Sequence, residues 1–287
     1  LFPTLRGEKH GFFGLTEPSG GSDPARAIRT TAYRDGDEWV LNGRKAWASH
    51  LCGWDGDGPD LMTVVCRTPG GISLVVAERE HLAGHVETEA HYDLPGLKGC
   101  LTTRIRLAGV RVPRANLLGA EGDGARLTRN AFFASGASIG SFAVAAMREA
   151  WDIAYRFALT EKRGGAVPII DHQAVSDVLA DTKGKIEATR LLSWRALDAV
   201  LAGDPAAPEL ALHAMVFGSE TAVAVVNDLV KIVGVTAYDA GFPLFRHLTE
   251  ALAYPVIEGS NTGVRRRQLH TLFTTTGYDP LAASGLA

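Results

Sequence analysis

The sequence predicts an α+β protein: an antiparallel, β-barrel-like domain over residues 1–118, followed by a C-terminal helical bundle over residues 119–287. Three observations carry this reading. The first part of the chain holds short apolar runs punctuated by Gly, Pro and Asn-Gly, the pattern of β-strands. After Pro113 the texture changes to long stretches with apolar residues at helical spacing. With 287 residues, 46% of them hydrophobic and 21% charged, the chain is long enough to bury two packed cores.

The elements follow in order. "TTAYRDGDEWVLNGRKAWAS" contains two strand-like runs joined at Asp35-Gly36, with Asn42-Gly43 as a second turn signal. "LMTVVCRT", "GISLVVAE" and "TTRIRLAGVRVP" read as further strands, with Pro69, Gly70 and Gly71 turning the first into the second. "NLLGAEGDG" reads as a linker, and helix begins near Ala125. Val175, Val178, Leu179 and Ile186 trace one stripe, continued by Leu197, Val200 and Leu201, and Gly203, Asp204 and Pro205 stop that helix. "PELALHAMVFGSETAVAVVNDLVKIVG" is apolar on most faces and is expected at the centre of a bundle of four or five helices.

Bulk properties exclude several classes. A net charge of −3, dispersed along the chain, argues against a nucleic-acid surface or a polybasic membrane patch. Cys52, Cys66 and Cys100 form no CxxC pair, which fits a reducing, cytoplasmic setting. No apolar run in the sequence approaches the ~20 residues needed to span a bilayer. The chain begins at Leu1 and enters a motif almost at once, so a preceding segment is expected.

Two stretches carry chemistry. In "YPVIEGSNTGVRRRQLH" an apolar run delivers one carboxylate, Glu258, directly before Gly259. A carboxylate buried among apolar groups has its pKa raised, and a base nearer neutrality suits deprotonation of a carbon acid. The alternative is a helix-start carboxylate with Ser260 or Asn261 as cap. Arg265, Arg266 and Arg267 follow, with one face able to pair with Glu258 or bind phosphate, or simply to meet solvent. "FGLTEPSGGSDP", Phe13 to Pro24, offers backbone N–H groups and hydroxyls for an anion or a flat polar ligand, or is only a loop. GxGxxG, Walker and GxSxG patterns are missing, which disfavours dinucleotide-fold, P-loop and serine-hydrolase sites. "DGDGPD" at Asp55–Asp60 starts like a calcium loop, but Cys66 stands where its glutamate belongs, and the histidines form no ligand pair, so no metal is expected.

The Phe13–Pro24 stretch, "LNGRKAWAS" and the late "EGS", in this order and spacing, resemble the acyl-CoA dehydrogenase superfamily of flavoproteins. The resemblance implies the middle β domain and C-terminal helical bundle of that fold, without its N-terminal helical domain. It implies FAD as cofactor and a homotetramer. Phe13, Leu15 and Thr16 would meet the flavin, Gly21 and Ser22 its pyrophosphate or the substrate, Trp47 the ring, and Ser49 the region of N5. Gly259, Ser260 and Arg163 belong to the same implied cofactor set, and Glu258 matches the catalytic glutamate.

"RGGAVPIIDHQAVSDVLAD", "ATRLLSWRAL" and "YPVIEGSNTGVRRRQ" are similar to the nitroalkane oxidase branch. In that branch a serine and an arginine accompany the base, and the matching positions are Ser135 and Arg265. "RGGAV" replaces the usual "RxxFG", and "GVTA" the usual "GGxG". The oxidase base is aspartate, whereas this chain has Glu258 and the dehydrogenase form "TEPSGGSD". The reading favoured on these grounds is dehydrogenation of an acyl thioester: Glu258 takes the α-proton and hydride passes to flavin N5. The electron acceptor would be an electron-transfer flavoprotein or O2. The alternatives are a nitroalkane oxidase-like oxidase of small carbon acids, and a non-catalytic partner subunit of a heteromeric dehydrogenase.

Overall fold

The structure, a computed structural model, describes residues 6–20 and 23–284. It divides into two compact units, residues 1–94 with 98–130 and residues 95–97 with 131–287.

The first unit is built on one sheet of eight strands: β1 Gly11–Gly14, β2 Thr31–Asp35, β3 Glu38–Ser49, β4 Leu61–Thr68, β5 Gly71–Glu78, β6 Val86–His91, β7 Thr102–Pro113 and β8 Leu117–Leu118. Their order is β6-β7-β3-β2-β4-β5-β8, with β1 added on β4. This corrects the expected antiparallel barrel. The sheet is mixed, because β1 runs parallel to β4 over Gly11–Gly14 and β2 touches β4 through the parallel pair Thr31 and Arg67. It is also open. β8 is two residues long, and β6 carries Glu87 and Glu89, the short and charged features that keep edges from pairing.

β2 and β3 form the expected hairpin, with Asp35 opposite Glu38. Asn42-Gly43 is not a turn; it lies inside β3 at a register shift against β7. Gly43 is needed there because a Cβ would sit 2.4 Å from the Thr30 hydroxyl. Asn42 Oδ1 accepts the Gly109 N–H at 2.9 Å, so its polar side chain serves the bulge instead of a turn. Trp39, Leu41, Met62, Val64, Val75, Ile105 and Val110 fill the core beneath the sheet, each contributing roughly 1.5–3 kcal/mol if wholly withdrawn from water.

The second unit contains most of α1, Gly124–Thr160, and four more helices: α2 Gln173–Ala202, α3 Ala207–Val233, α4 Leu244–Ala251 and α5 Arg266–Phe273. α2 ends at Gly203 in the left-handed region, φ 68°, where its N–H reaches the carbonyls of Ala199 and Val200. Leu179 and Ile186 are buried as their spacing predicts, but Leu201, in the last turn, is 85% exposed. The three long helices meet at small residues. A Cβ on Gly140 would lie 2.3 Å from Ser193 Oγ, and one on Gly218 would lie 3.1 Å from Gly140 Cα. By length and composition Gly124–Thr160 and Ala207–Tyr238 reach the threshold for a bilayer span, which the sequence reading did not expect. Both helices contribute fully buried residues to the bundle core, among them Ala143, Met147, Val225 and Leu229.

Candidate active site

After α4 the chain makes successive turns from Leu252 and reaches Glu258. Three consecutive residues then take positive φ: Glu258 at 54°, Gly259 at 93° and Ser260 at 60°. For the two non-glycine residues this conformation carries roughly 1–3 kcal/mol each, and it persists only where surrounding contacts over-determine it. Ser260 Oγ accepts the Gly263 N–H at 2.9 Å, so the expected capping role falls to Ser260. Asn261–Arg265 is then a π-helical turn leading into α5, a wide turn that recurs at functional sites.

Two side chains converge on Glu258. Ser135, on α1, donates its hydroxyl to Glu258 Oε2 at 3.0 Å. Arg265 donates Nη2 to the Glu258 backbone carbonyl, not to its carboxylate. Arg265 is 2% exposed. Its Nη1 donates to Gln268 Oε1 at 3.0 Å, its Nε points at Met215 Sδ at 3.1 Å, and its guanidinium lies 5.2 Å from the Phe132 ring centroid. Burial pulls the Arg265 guanidinium below its usual pKa, and the Glu258 charge works against that. Glu258 is half-buried, and its Oε1 makes no hydrogen bond among the described residues. The second unit thus brings Glu258, Ser135, Arg265, Gly259 and Ser260 together. Arg266 instead pairs with Glu220 at 2.7 Å.

The front motif is built in the first unit. β1 leads to Leu15 and Thr16, and the Thr16 carbonyl accepts the Ala46 N–H at 2.8 Å. Phe13 and Leu15 pack on Ile28, Val65 and Leu74. Glu17 and Lys45 lock this strand to β3. Lys45 Nζ donates to Glu17 Oε1 at 2.9 Å, the Leu15 carbonyl at 3.1 Å and the Val65 carbonyl at 2.7 Å. Glu17 also accepts the N–H groups of Arg29 at 2.7 Å and Thr30 at 2.9 Å. Burial alone would push the Glu17 carboxyl up, but Lys45 and Thr30 outweigh it and hold its pKa below the usual value. Burial pulls the Lys45 ammonium down, and Glu17 opposes this; three acceptors around one nitrogen favour its charged form. Burial pushes the neighbouring Cys66 thiol up to about 12, so it is an inert core thiol.

Just beyond Lys45 a second register shift in β3 sets Trp47 at φ 58°. Trp47 is 57% exposed and stacks on Tyr92 with ring centroids 3.8 Å apart and an interplanar angle of 7°. The hydroxyls of Thr16 and Ser49 make no hydrogen bond among the described residues. Gly21 and Ser22 lie outside the described residues.

Arg163 belongs to the second unit and has φ 51°. Its Nη2 donates to the Val233 carbonyl at the end of α3, and to Thr236 Oγ1 at 3.0 Å. The "RGGAV" and "GVTA" segments therefore touch each other. Sequence reasoning missed the Glu17–Lys45 pair, because Lys45 follows Arg44 directly in "GRKAWAS" and reads as one of two surface cations. It also missed Ser219 and Glu220, which face Asn261 from α3 and carry no local motif.

Family models describe this chain twice over: an acyl-CoA dehydrogenase middle domain matches residues 12–110, and an acyl-CoA dehydrogenase C-terminal domain matches residues 122–270. The chain belongs to the acyl-CoA dehydrogenase family. Within this family of oxidoreductases it is 38% identical to a nitroalkane oxidase of Podospora anserina, over 97% of this chain and 70% of that one. It is 31% identical to the mitochondrial short-chain specific acyl-CoA dehydrogenase of Sus scrofa, over 91% of this chain and 62% of that one. A solved structure of the flavoprotein nitroalkane oxidase superposes with a TM-score of 0.91 at 32% identity, covering 96% of this chain and 70% of that one.

Proposed function

We propose that this family member oxidises a small carbon acid, with Glu258 as the base that removes a proton from a carbon beside an electron-withdrawing group. The observation that carries the proposal is the Ser135–Glu258–Arg265 constellation. Solved nitroalkane oxidases are described with an active-site aspartate and an active-site serine, and with an arginine that has a role in the reaction. That aspartate and arginine stand seven residues apart, as do Glu258 and Arg265. Ser135 occupies one carboxylate oxygen, Oε2, which leaves Oε1 to accept the proton. Arg265 anchors the backbone of the base and adds a buried positive charge behind it.

The first unit fits a flavin. Trp47 is 57% exposed with Tyr92 stacked on one face, and the hydroxyls of Thr16 and Ser49, which have no partner among the described residues, suit the polar edge of a flat heteroaromatic ring. Phe13, Leu15, Thr16, Trp47 and Ser49 would hold the ring. When bound, the flavin supplies a two-electron acceptor for the substrate. Electrons would then leave to O2 or to an electron-transfer flavoprotein.

A second reading, dehydrogenation of an acyl thioester, is favoured by two observations. The base is glutamate, as the dehydrogenase resemblance implies. The N–H groups of Glu258 and Gly259 donate to no acceptor among the described residues, so they are available to a developing enolate oxygen. A homo-oligomer is part of either proposal, supported by Phe142, Leu191 and Trp194, which are more than half exposed on α1 and α2. A cytoplasmic location is likewise proposed, supported by the free thiol of exposed Cys100.

The test is anaerobic mixing of the FAD-loaded protein with nitroethane or with butyryl-CoA. Bleaching of the flavin by nitroethane alone supports the oxidase reading. Bleaching by butyryl-CoA alone overturns it in favour of the dehydrogenase. A pure protein that takes up no FAD overturns both and supports the partner-subunit reading.

A further inference from the structure

The turn that carries Glu258 is strained, and Ser135 and Arg265 hold only its carboxylate and its carbonyl. We infer that Asn261 is the positioning residue for Glu258, acting through the backbone of the turn without touching a substrate. This rests on Glu258 being the base.

Asn261 is 1% exposed. Its N–H donates to the Pro255 carbonyl at 2.8 Å and closes the turn from behind Glu258. Its carbonyl accepts the Arg266 N–H, five residues on, and so sets the π turn. Its side chain donates from Nδ2 to Ser219 Oγ at 2.9 Å and to Glu220 Oε1 at 3.2 Å, both on α3. Glu220 in turn accepts from Arg266 Nη2 at 2.8 and 2.7 Å. One amide therefore ties the Glu258 turn to α3 and, through Glu220, to the start of α5.

The chemistry of the site requires an amide. Ser219 gives its own proton to the Met215 carbonyl at 2.6 Å, so it meets Asn261 as an acceptor. Glu220 is also an acceptor. The group facing both must be a double donor of about this size, which asparagine supplies. The arrangement leaves Asn261 Oδ1 buried with no partner among the described residues. An apolar side chain would bury no such orphan, so the amide is retained against that penalty by what its two donors hold.

The experiment compares Asn261→Ala and Asn261→Asp with wild type and with Glu258→Gln, all loaded with FAD. Nitroethane and butyryl-CoA are both used as probes, and rates are read with whichever reduces the wild type. A small misplacement of a base slows proton abstraction by up to about 100-fold. We expect Asn261→Ala to slow flavin reduction at saturating probe by about 10- to 100-fold, with FAD content and apparent Kd for the probe unchanged. Asn261→Asp keeps the shape but turns a carboxylate oxygen toward Glu220, and so does not rescue. Amide hydrogen exchange over residues 255–265 speeds up in Asn261→Ala while α3 stays protected. Where Asn261→Ala does not fold, Ser219→Ala removes one of the two acceptors and gives the same signs with smaller size. Wild-type reduction rates in the folded variants overturn the inference, whether or not exchange changes. Loss of FAD in step with the rate also overturns it, because Asn261 would then serve the cofactor. A Glu258→Gln protein that reduces at the wild-type rate fails a different claim, the identity of the base.

Discussion

Ser135 Oγ stands 3.0 Å from Glu258 Oε2, joining a side chain on the longest helix to one on a strained turn 123 residues later in the chain. A hydroxyl donor at that distance orients the carboxylate and fixes which oxygen faces away from it. Hydrogen bonds to charged groups contribute about 1.5–3 kcal/mol. Ser135→Ala is therefore expected to slow flavin reduction by about 10- to 100-fold while FAD stays bound, read by rapid mixing under anaerobic conditions.

Arg265 presents three nitrogens to three different partners: the Glu258 carbonyl, Gln268 and Met215. A lysine keeps the charge but offers one nitrogen and no planar fork. Arg265→Lys is expected to lose about 1–3 kcal/mol of stability and to slow reduction more than Ser135→Ala does. Thermal unfolding and flavin reduction on the same preparation check the two parts separately.

The Glu17–Lys45 pair is buried on both sides, with side chains 2% and 0% exposed. Removing one partner of such a pair leaves an uncompensated charge and costs about 3–5 kcal/mol, whereas replacing both with neutral groups of similar volume restores much of the loss. Glu17→Gln and Lys45→Met are each expected to lower Tm strongly. The double variant should recover most of the difference in a differential scanning measurement.

The same pair predicts a pH dependence. The Glu17 carboxyl is held below its usual pKa when folded, so the folded state binds that proton less readily than the unfolded chain does. Its contribution is complete above the unfolded value and is lost as the pH falls through the folded one. Wild-type Tm is therefore expected to fall more steeply on acidification below the ordinary carboxylate range than Tm of the Glu17→Gln, Lys45→Met double variant. Parallel scans across acidic buffers check this.

Much of this was legible in the sequence because it is local. The strand runs of β4, β5 and β7, the Asp35-Gly36 hairpin and the Gly203 stop are set by residues within a few positions of one another. Glu258 was visible because an apolar run delivers a single carboxylate to a glycine. What was not legible is long-range. β1 joins β4 in parallel across some fifty residues of chain, as in the pairing of Gly11 with Leu61, and nothing in "GFFG" specifies that partner. Asn42-Gly43 carries the local signature of a turn, but the close approach of Thr30 claims the glycine for a strand instead. Leu201 follows the helical period of its stripe yet sits in a final turn that protrudes into solvent. Asn261 reads as a cap, because the acceptors that give it another role lie about forty residues upstream on α3.

The central claim is that Glu258 is the base, and Glu258→Gln tests it most directly. The variant keeps the shape, and an amide oxygen can still accept from Ser135, but it has no carboxylate to take a proton. Flavin absorbance is followed anaerobically after mixing with whichever of nitroethane and butyryl-CoA bleaches the wild type. The account predicts a fall in the reduction rate of at least about 1,000-fold, within the range of 10²–10⁴ for losing a general base, with FAD still bound. Reduction within a few-fold of wild type would contradict it.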